Sequence, residues 1–166
     1  MKILHCSDAH LRDRDIEDAE KCLDFLVDTA KKENVDLTVI AADIFDDQNV
    51  RLDSMSAKLA VKVISSLADI CPVAIIIGTP SHEGKAPEVL SYVRGKFPVH
   101  VAITPEQIEL AGAVLSLIPQ PTKQHFQTSE GIQTSDQEIG ASMSVLFAGF
   151  GAQAAEYKAP HILVYH

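Results

Sequence analysis

Along the first hundred residues, short β-branched runs alternate with stretches in which apolar side chains recur every three or four positions. Lys2–Cys6 (KILHC) predicts a strand. Asp15–Glu33 predicts a helix, because Ile16, Ala19, Leu23, Leu26 and Ala30 fall on one stripe and Asp15 can serve as its N-cap. Asp36–Ala41 (DLTVIA) follows as a strand. A second helix is expected from Asp53 or Ser54 to Ala68, with Met55, Leu59, Lys62 and Val63 forming a less regular stripe. Val73–Ile77 (VAIII) is a continuous apolar run of the kind covered on both faces of a sheet. A shorter helix around Pro87–Arg94 leads to a strand at Val99–Ile103.

The second half changes character. Gln107–Leu110 and Ala113–Ile118 predict strands joined tightly through Ala111-Gly112, and Pro119-Gln120-Pro121 ends the second of them. Thr122–Gln137 is polar and reads as an exposed loop. Glu138–Ala155 predicts a helix rich in Ala, Gly and Ser, and Pro160 precedes a last strand, His161–Tyr165, ending in His166. Strands alternating with helices, with no repeat or linker between them, predict one α/β layered domain over residues 1–166.

Composition narrows the class. With 46% hydrophobic and 22% charged residues the chain is neither disordered nor fibrous. Three widely spaced cysteines, Cys6, Cys22 and Cys71, form no CxxC pattern, so they are expected as small core residues rather than as a disulfide or zinc framework. No apolar run approaches the ~18–20 residues needed to cross a bilayer, and the N-terminus lacks the long apolar core of a signal peptide, which reads as cytoplasmic. The net charge of −9 opposes a broad basic nucleic-acid surface. It does not oppose an enzyme that gathers carboxylates around cations, because bound ions reverse the local sign.

Ligands of open α/β sheets collect at the carboxyl ends of strands. Here the strand ends run into Ser7-Asp8-Ala9-His10, Asp43-Ile44-Phe45-Asp46-Asp47, Gly78-Thr79-Pro80-Ser81-His82-Glu83 and His166. Each delivers Asp or His, donors that suit manganese, iron or zinc. Asp8 and His10 lie two apart, so in an extended segment both face the same way and can clasp one ion. Asp43 follows the apolar run LTVIAA, where an unpaired carboxylate is costly unless a cation compensates it. Such a carboxylate can bridge two ions. Asp46 and Asp47 are read as loop caps or as groups touching the ligands from behind. Arg51 is read as solvated surface charge, with a phosphate contact as the alternative. His5 is expected as an ordinary sheet residue, and His100, His125 and His161 have no partners at ligand spacing.

The order Asp8-x-His10, Ala42-Asp43-Ile44-Phe45-Asp46, a glycine loop ending in His82-Glu83, and a strand ending in His166 resembles the calcineurin-like metallophosphoesterase superfamily. MKILHCSDAHL, ADIFDD and the hairpin IELAGAVLSLIPQP resemble its SbcD branch, the nuclease subunit of a double-strand-break repair complex. The resemblance implies a four-layer α/β/β/α sandwich and two divalent metal ions, manganese foremost, with iron or zinc as alternatives. Asp8 and His10 would hold the first ion, Asp43 would bridge both, and His166 would help hold the second. His82 would be catalytic, orienting or protonating the leaving oxygen. The implied partners are DNA, an SbcC-type ATPase and, in the full-length form, a second copy of the chain.

The sequence departs from the family pattern at three places. Ala42 stands where the family has glycine, an exchange expected to be sterically mild. GTPSHE replaces GNH[DE], so Ser81 takes the place of an asparagine ligand, with a hydroxyl as the poorer donor. The family's GHxH motif would fall after residue 166, and the pattern breaks off at His166, so residues 1–166 are expected to be an incomplete nuclease domain. Two other readings stay open at this level: a phosphatase or small-phosphodiester hydrolase of the same superfamily, and a binding module that keeps the fold without a full ligand set.

Overall fold

The computed structural model describes residues 1–121 and 135–166. Four strands, β1 (Ile3–Cys6), β2 (Leu37–Ala41), β3 (Val73–Ile76) and β4 (Val99–Ala102), form a parallel sheet in the order β1-β2-β3-β4. Helices α1 (Ile16–Glu33) and α2 (Met55–Ala68) make the first two crossovers, and a 3-10 segment, Ala86–Tyr92, precedes β4. A second sheet has β5 (Glu106–Leu110) antiparallel to β6 (Ala113–Ile118), and β7 (His161–Tyr165) parallel to β6. Helix α3 (Asp136–Ala154) precedes β7.

Alternation along the strands sets the layers. In β2 and β3, Ile40, Val73 and Ile75 pack with α1 and α2. Their neighbours Leu37, Val39, Ala41, Ala74 and Ile76 face Ala113, Leu115 and Leu117 of β6 and Val164 of β7. The opposite face of the second sheet meets α3: Phe147 stacks edge-on against Tyr165 at 5.5 Å, and the Phe150 carbonyl accepts from the Gln107 side chain at 3.1 Å. The result is an α/β/β/α sandwich, as expected. Strands β2, β3 and β6 are buried along their whole length, which is why apolar residues dominate them, with Thr38 and Ser116 as buried polar exceptions.

Local chemistry fixes the helix ends. Ser54 caps α2 by accepting from the Ala57 amide at 3.1 Å, and Ser135 with Glu138 forms a capping box on α3. Asp15 sits at the N-cap position of α1 but makes no cap bond; its carboxylate pairs with Arg14 instead. Asn34 ends that helix in the left-handed region, φ 51°.

Several expectations shift. The buried face of α2 is Leu59, Ala60, Val63, Ile64 and Leu67, while Met55 is exposed and Lys62 reaches outward to Glu20 and Asp24 on α1. The core stripe therefore runs through positions the less regular reading passed over. Cys71 is buried and Cys6 half-buried, but Cys22 is exposed, because it lies off the α1 stripe. The segment read as a helix near Pro87 is 3-10. Of the loop expected at Thr122–Gln137, residues 122–134 lie outside the described residues, as does His125; Asp136 and Gln137 already belong to α3. No helix among the described residues is long and apolar enough to cross a membrane.

The inter-sheet packing predicts that Leu115→Ala, at a fully buried position, lowers unfolding free energy by about 2–5 kcal/mol. Val145→Ala, on the solvent side of α3, is expected to stay within about 0.5 kcal/mol of the parent. Urea melts of the two variants check both.

Candidate metal centre

The loops leaving β1 and β2 run side by side. The Asp8 amide donates to the Ala42 carbonyl at 3.1 Å, His10 to Asp43 at 3.0 Å and Leu11 to Ile44 at 2.8 Å. Within this ladder Asp8, His10, Ala42 and Asp43 all have positive φ, between 43° and 74°. For residues with a Cβ that conformation costs roughly 1–2 kcal/mol, so the ladder holds strained backbone where the side chains are wanted. Ala42 at φ 74° is therefore not the neutral exchange for glycine that its size suggests, although its methyl group is fully buried between the sheets.

The β3 loop closes over this pair through two devices. Gly78 lies so near Asp43 that an added Cβ would fall 2.2 Å from its Oδ1 and 2.6 Å from its backbone nitrogen. Glu83, fully buried, accepts from the amides of Ile44 at 2.6 Å, Phe45 at 3.3 Å and Gly78 at 2.5 Å. Burial pushes the Glu83 carboxyl above the ordinary range; the three amides pull the other way, and the neighbouring charge of Asp43 adds to the rise.

Asp43 is 3% exposed and is the focus of the cluster. The Thr79 amide donates to its Oδ1 at 2.7 Å and the Thr79 hydroxyl to its Oδ2 at 3.2 Å. Around that Oδ2 stand three imidazoles: His82 Nδ1 at 3.1 Å, His166 Nε2 at 3.6 Å and His10 Nε2 at 3.9 Å. Burial raises the Asp43 carboxyl, but the bonds from Thr79 and His82 and the nearby His166 outweigh it and hold it below the usual carboxylate range. Asp43 is accordingly an anion at neutral pH.

Potential ligand atoms fall into two groups that share Asp43, one with His10 and His82, the other with Asp8 and His166, each spanning no more than 4.8 Å. The structure thus brings Asp8, His10, Asp43, His82 and His166 together. Across the two groups, His10 Nε2 lies 3.7 Å from Asp8 Oδ1, the pair that the sequence expectation placed on one ion. The two side chains come together from left-handed backbone, positive φ at both residues, rather than from the extended segment assumed in the sequence reading. Ser81 is exposed and makes no hydrogen bond to the cluster; the hydroxyl that reaches Asp43 is that of Thr79.

Behind the cluster, Asp46 Oδ1 accepts from His10 Nδ1 at 3.0 Å and the carboxylate pairs with Arg12, while Gln120 Oε1 lies 3.1 Å from His166 Nδ1. Each partner fixes one ring nitrogen and turns the other toward Asp43, the arrangement typical of metal-binding histidines. Thr79, Glu83 and Gln120 were not singled out from sequence. Gln120 had one signal, a polar residue held between two prolines at a strand end.

The donor set fits divalent cations: imidazole nitrogens and carboxylate oxygens surround one buried anion, and these are the ligands that suit manganese, iron or zinc. A two-sheet α/β sandwich with a His/Asp cluster at its strand ends is the framework of a metallohydrolase. The family model for calcineurin-like phosphoesterases matches residues 1–90, more than half of the chain. The chain belongs to that family, whose members use divalent metal ions to hydrolyse phosphoesters, and the protein is a metal-dependent phosphoesterase in this general sense.

Glu83→Ala strips three buried amides of their acceptor and is expected to cost about 3 kcal/mol or more. Because the folded carboxyl titrates above its unfolded value of about 4.3, its ionisation weakens the fold as pH climbs through the folded pKa. Glu83→Gln should therefore be most destabilised relative to the parent in acid, with the gap narrowing toward neutrality. Urea melts across that range read both effects.

Proposed function

We propose that the protein is a two-metal phosphodiesterase of the SbcD type, a DNA exonuclease and endonuclease subunit acting in double-strand-break repair. The observation that carries the two-metal reading is the pair of His/Asp groups sharing the buried Asp43. The likeness of MKILHCSDAHL and ADIFDD to the SbcD branch supports DNA over other phosphoesters. Residues 1–166 are read as a nuclease domain that works in the cytoplasm with an SbcC-type ATPase and as a dimer of the full-length protein.

Asp8, His10, Asp43 and His166 would hold the ions, with Asp43 between them and manganese the preferred metal. When bound, the cations would withdraw charge from the phosphoryl oxygens and activate a water for attack on phosphorus. Asp46 and Gln120 keep the His10 and His166 rings turned inward, so little reorganisation is needed on loading. Thr79 fixes both oxygens of Asp43. His82 engages Asp43 through Nδ1, which leaves Nε2 to donate a proton to the departing oxygen, and its side chain is 44% exposed at the rim where a substrate would arrive.

Calorimetry with manganese and turnover of bis-p-nitrophenyl phosphate and linear duplex DNA test the reading. Asp43→Asn should abolish manganese binding and turnover together. His82→Ala should keep manganese binding while kcat falls by about 10²–10⁴. Loss of manganese binding in His82→Ala would make His82 a ligand instead, and a parent chain that binds no manganese would end the two-metal reading.

A further inference from the structure

A cleft of about 480 Å³ opens beside the metal centre, walled by the loops that leave β1 and β2 and by the start of α2. It shares Asp46 with the centre, because that carboxylate contacts His10 on one side and Arg12 on the other. The chain has only four arginines, and three of them, Arg12, Arg14 and Arg51, line this one cleft. Among the described residues no lysine does. In a protein of net charge −9 that placement is a concentration of guanidinium groups, whose planar forks match phosphate oxygens.

Three carboxylates, Asp13, Asp46 and Asp47, balance the formal charge of the lining, but each has a partner within the protein, so the guanidinium groups are the more available for a ligand. Asp13 accepts from the Ser56 amide at 2.8 Å at the start of α2, Asp47 from the Asn49 amide at 2.8 Å, and Asp46 is held between His10 and Arg12. Arg14 and Arg51, by contrast, pair only with acids one and two residues away, Asp15 at 3.1 Å and Asp53 at 2.9 Å. Both pairs are well over half exposed, at 71% and 62% and at 80% and 69%. Arg51 grips Asp53 through two nitrogens, at 2.9 and 3.0 Å, but both pairs stand in solvent, where screening weakens them and a phosphate can compete with the carboxylates.

We propose that this cleft receives a single strand of nucleic acid, with Arg12, Arg14 and Arg51 on the phosphates flanking the one at the metal centre. The proposal rests on the phosphodiesterase reading of that centre and adds the residues that would favour a phosphate chain over a lone phosphoester. Two or three spaced guanidinium groups have no partners on a substrate with one phosphate.

Arg12 is kept in the test because its loss would also release Asp46 and His10. The 166-residue chain and its Arg14→Ala/Arg51→Ala variant are titrated with a fluorescent single-stranded oligonucleotide in buffer without divalent metal, across a series of salt concentrations. Losing two phosphate contacts should weaken binding and flatten the plot of log affinity against log salt by about 1.4, roughly 0.7 for each contact. Arg94→Ala serves as the charge control: its guanidinium is tied to the Ser91 and Val93 carbonyls away from the cleft, and its slope should match the parent's. A double variant with the parent's slope and affinity, or a parent that binds no oligonucleotide at low salt, overturns the proposal. Turnover of bis-p-nitrophenyl phosphate by the manganese-loaded parent reads the metal centre separately, so failure there is distinguishable from failure of the cleft.

Discussion

One buried carboxylate, Glu83, ties the candidate site into a unit. It takes amide protons from Ile44 and Phe45 beyond β2 and from Gly78 beyond β3, and so joins two strand exits that no sheet hydrogen bond connects. That joint reinforces the approach of Gly78, which makes room for Asp43, and of Thr79, whose amide and hydroxyl bond its oxygens directly. The β1 loop is held separately by its ladder to Ala42, Asp43 and Ile44. Asp43 is therefore clamped from both neighbouring strands, and the imidazoles around it inherit their positions from that clamp.

The electrostatics follow the same order. Glu83 is buried among neutral dipoles, and burial raises its affinity for a proton; Asp43 is equally hidden but stands among imidazoles and a hydroxyl, and is held as an anion. Two carboxylates in neighbouring loops are thus given opposite tendencies by their surroundings. The first serves architecture. The second supplies the charge on which a divalent phosphoesterase centre depends.

Much of this was legible from residue types alone. Asp36–Ala41, Val73–Ile77 and Ala113–Ile118 announced strands, the second of them covered on both faces, and the strands found there are buried throughout. Asp8, His10, Asp43, His82 and His166 were found because strand ends carrying Asp or His are unusual in combination, and the fold brings all five together. The left-handed backbone at Asp8 and His10 that presents them was not legible, because no side-chain pattern encodes it. The substitution of Thr79 for the expected Ser81 has a similar origin: the path of a loop longer than the family motif decides which hydroxyl turns inward. Glu83 was visible only as a neighbour of His82, because its partners are main-chain amides, which every residue but proline possesses.

The left-handed stretch at the strand exits carries a consequence for anyone seeking a hardier version of this protein. Glycine at Asp8, His10 or Asp43 would relax the backbone, yet each exchange would delete a group that gives the cluster its chemistry. Among the four left-handed positions only Ala42, which contributes no ligand atom, could take glycine without that loss, and further gains must come from elsewhere, for instance the outward side of α3. Durability and reactivity are written into the same few torsion angles at Asp8, His10 and Asp43.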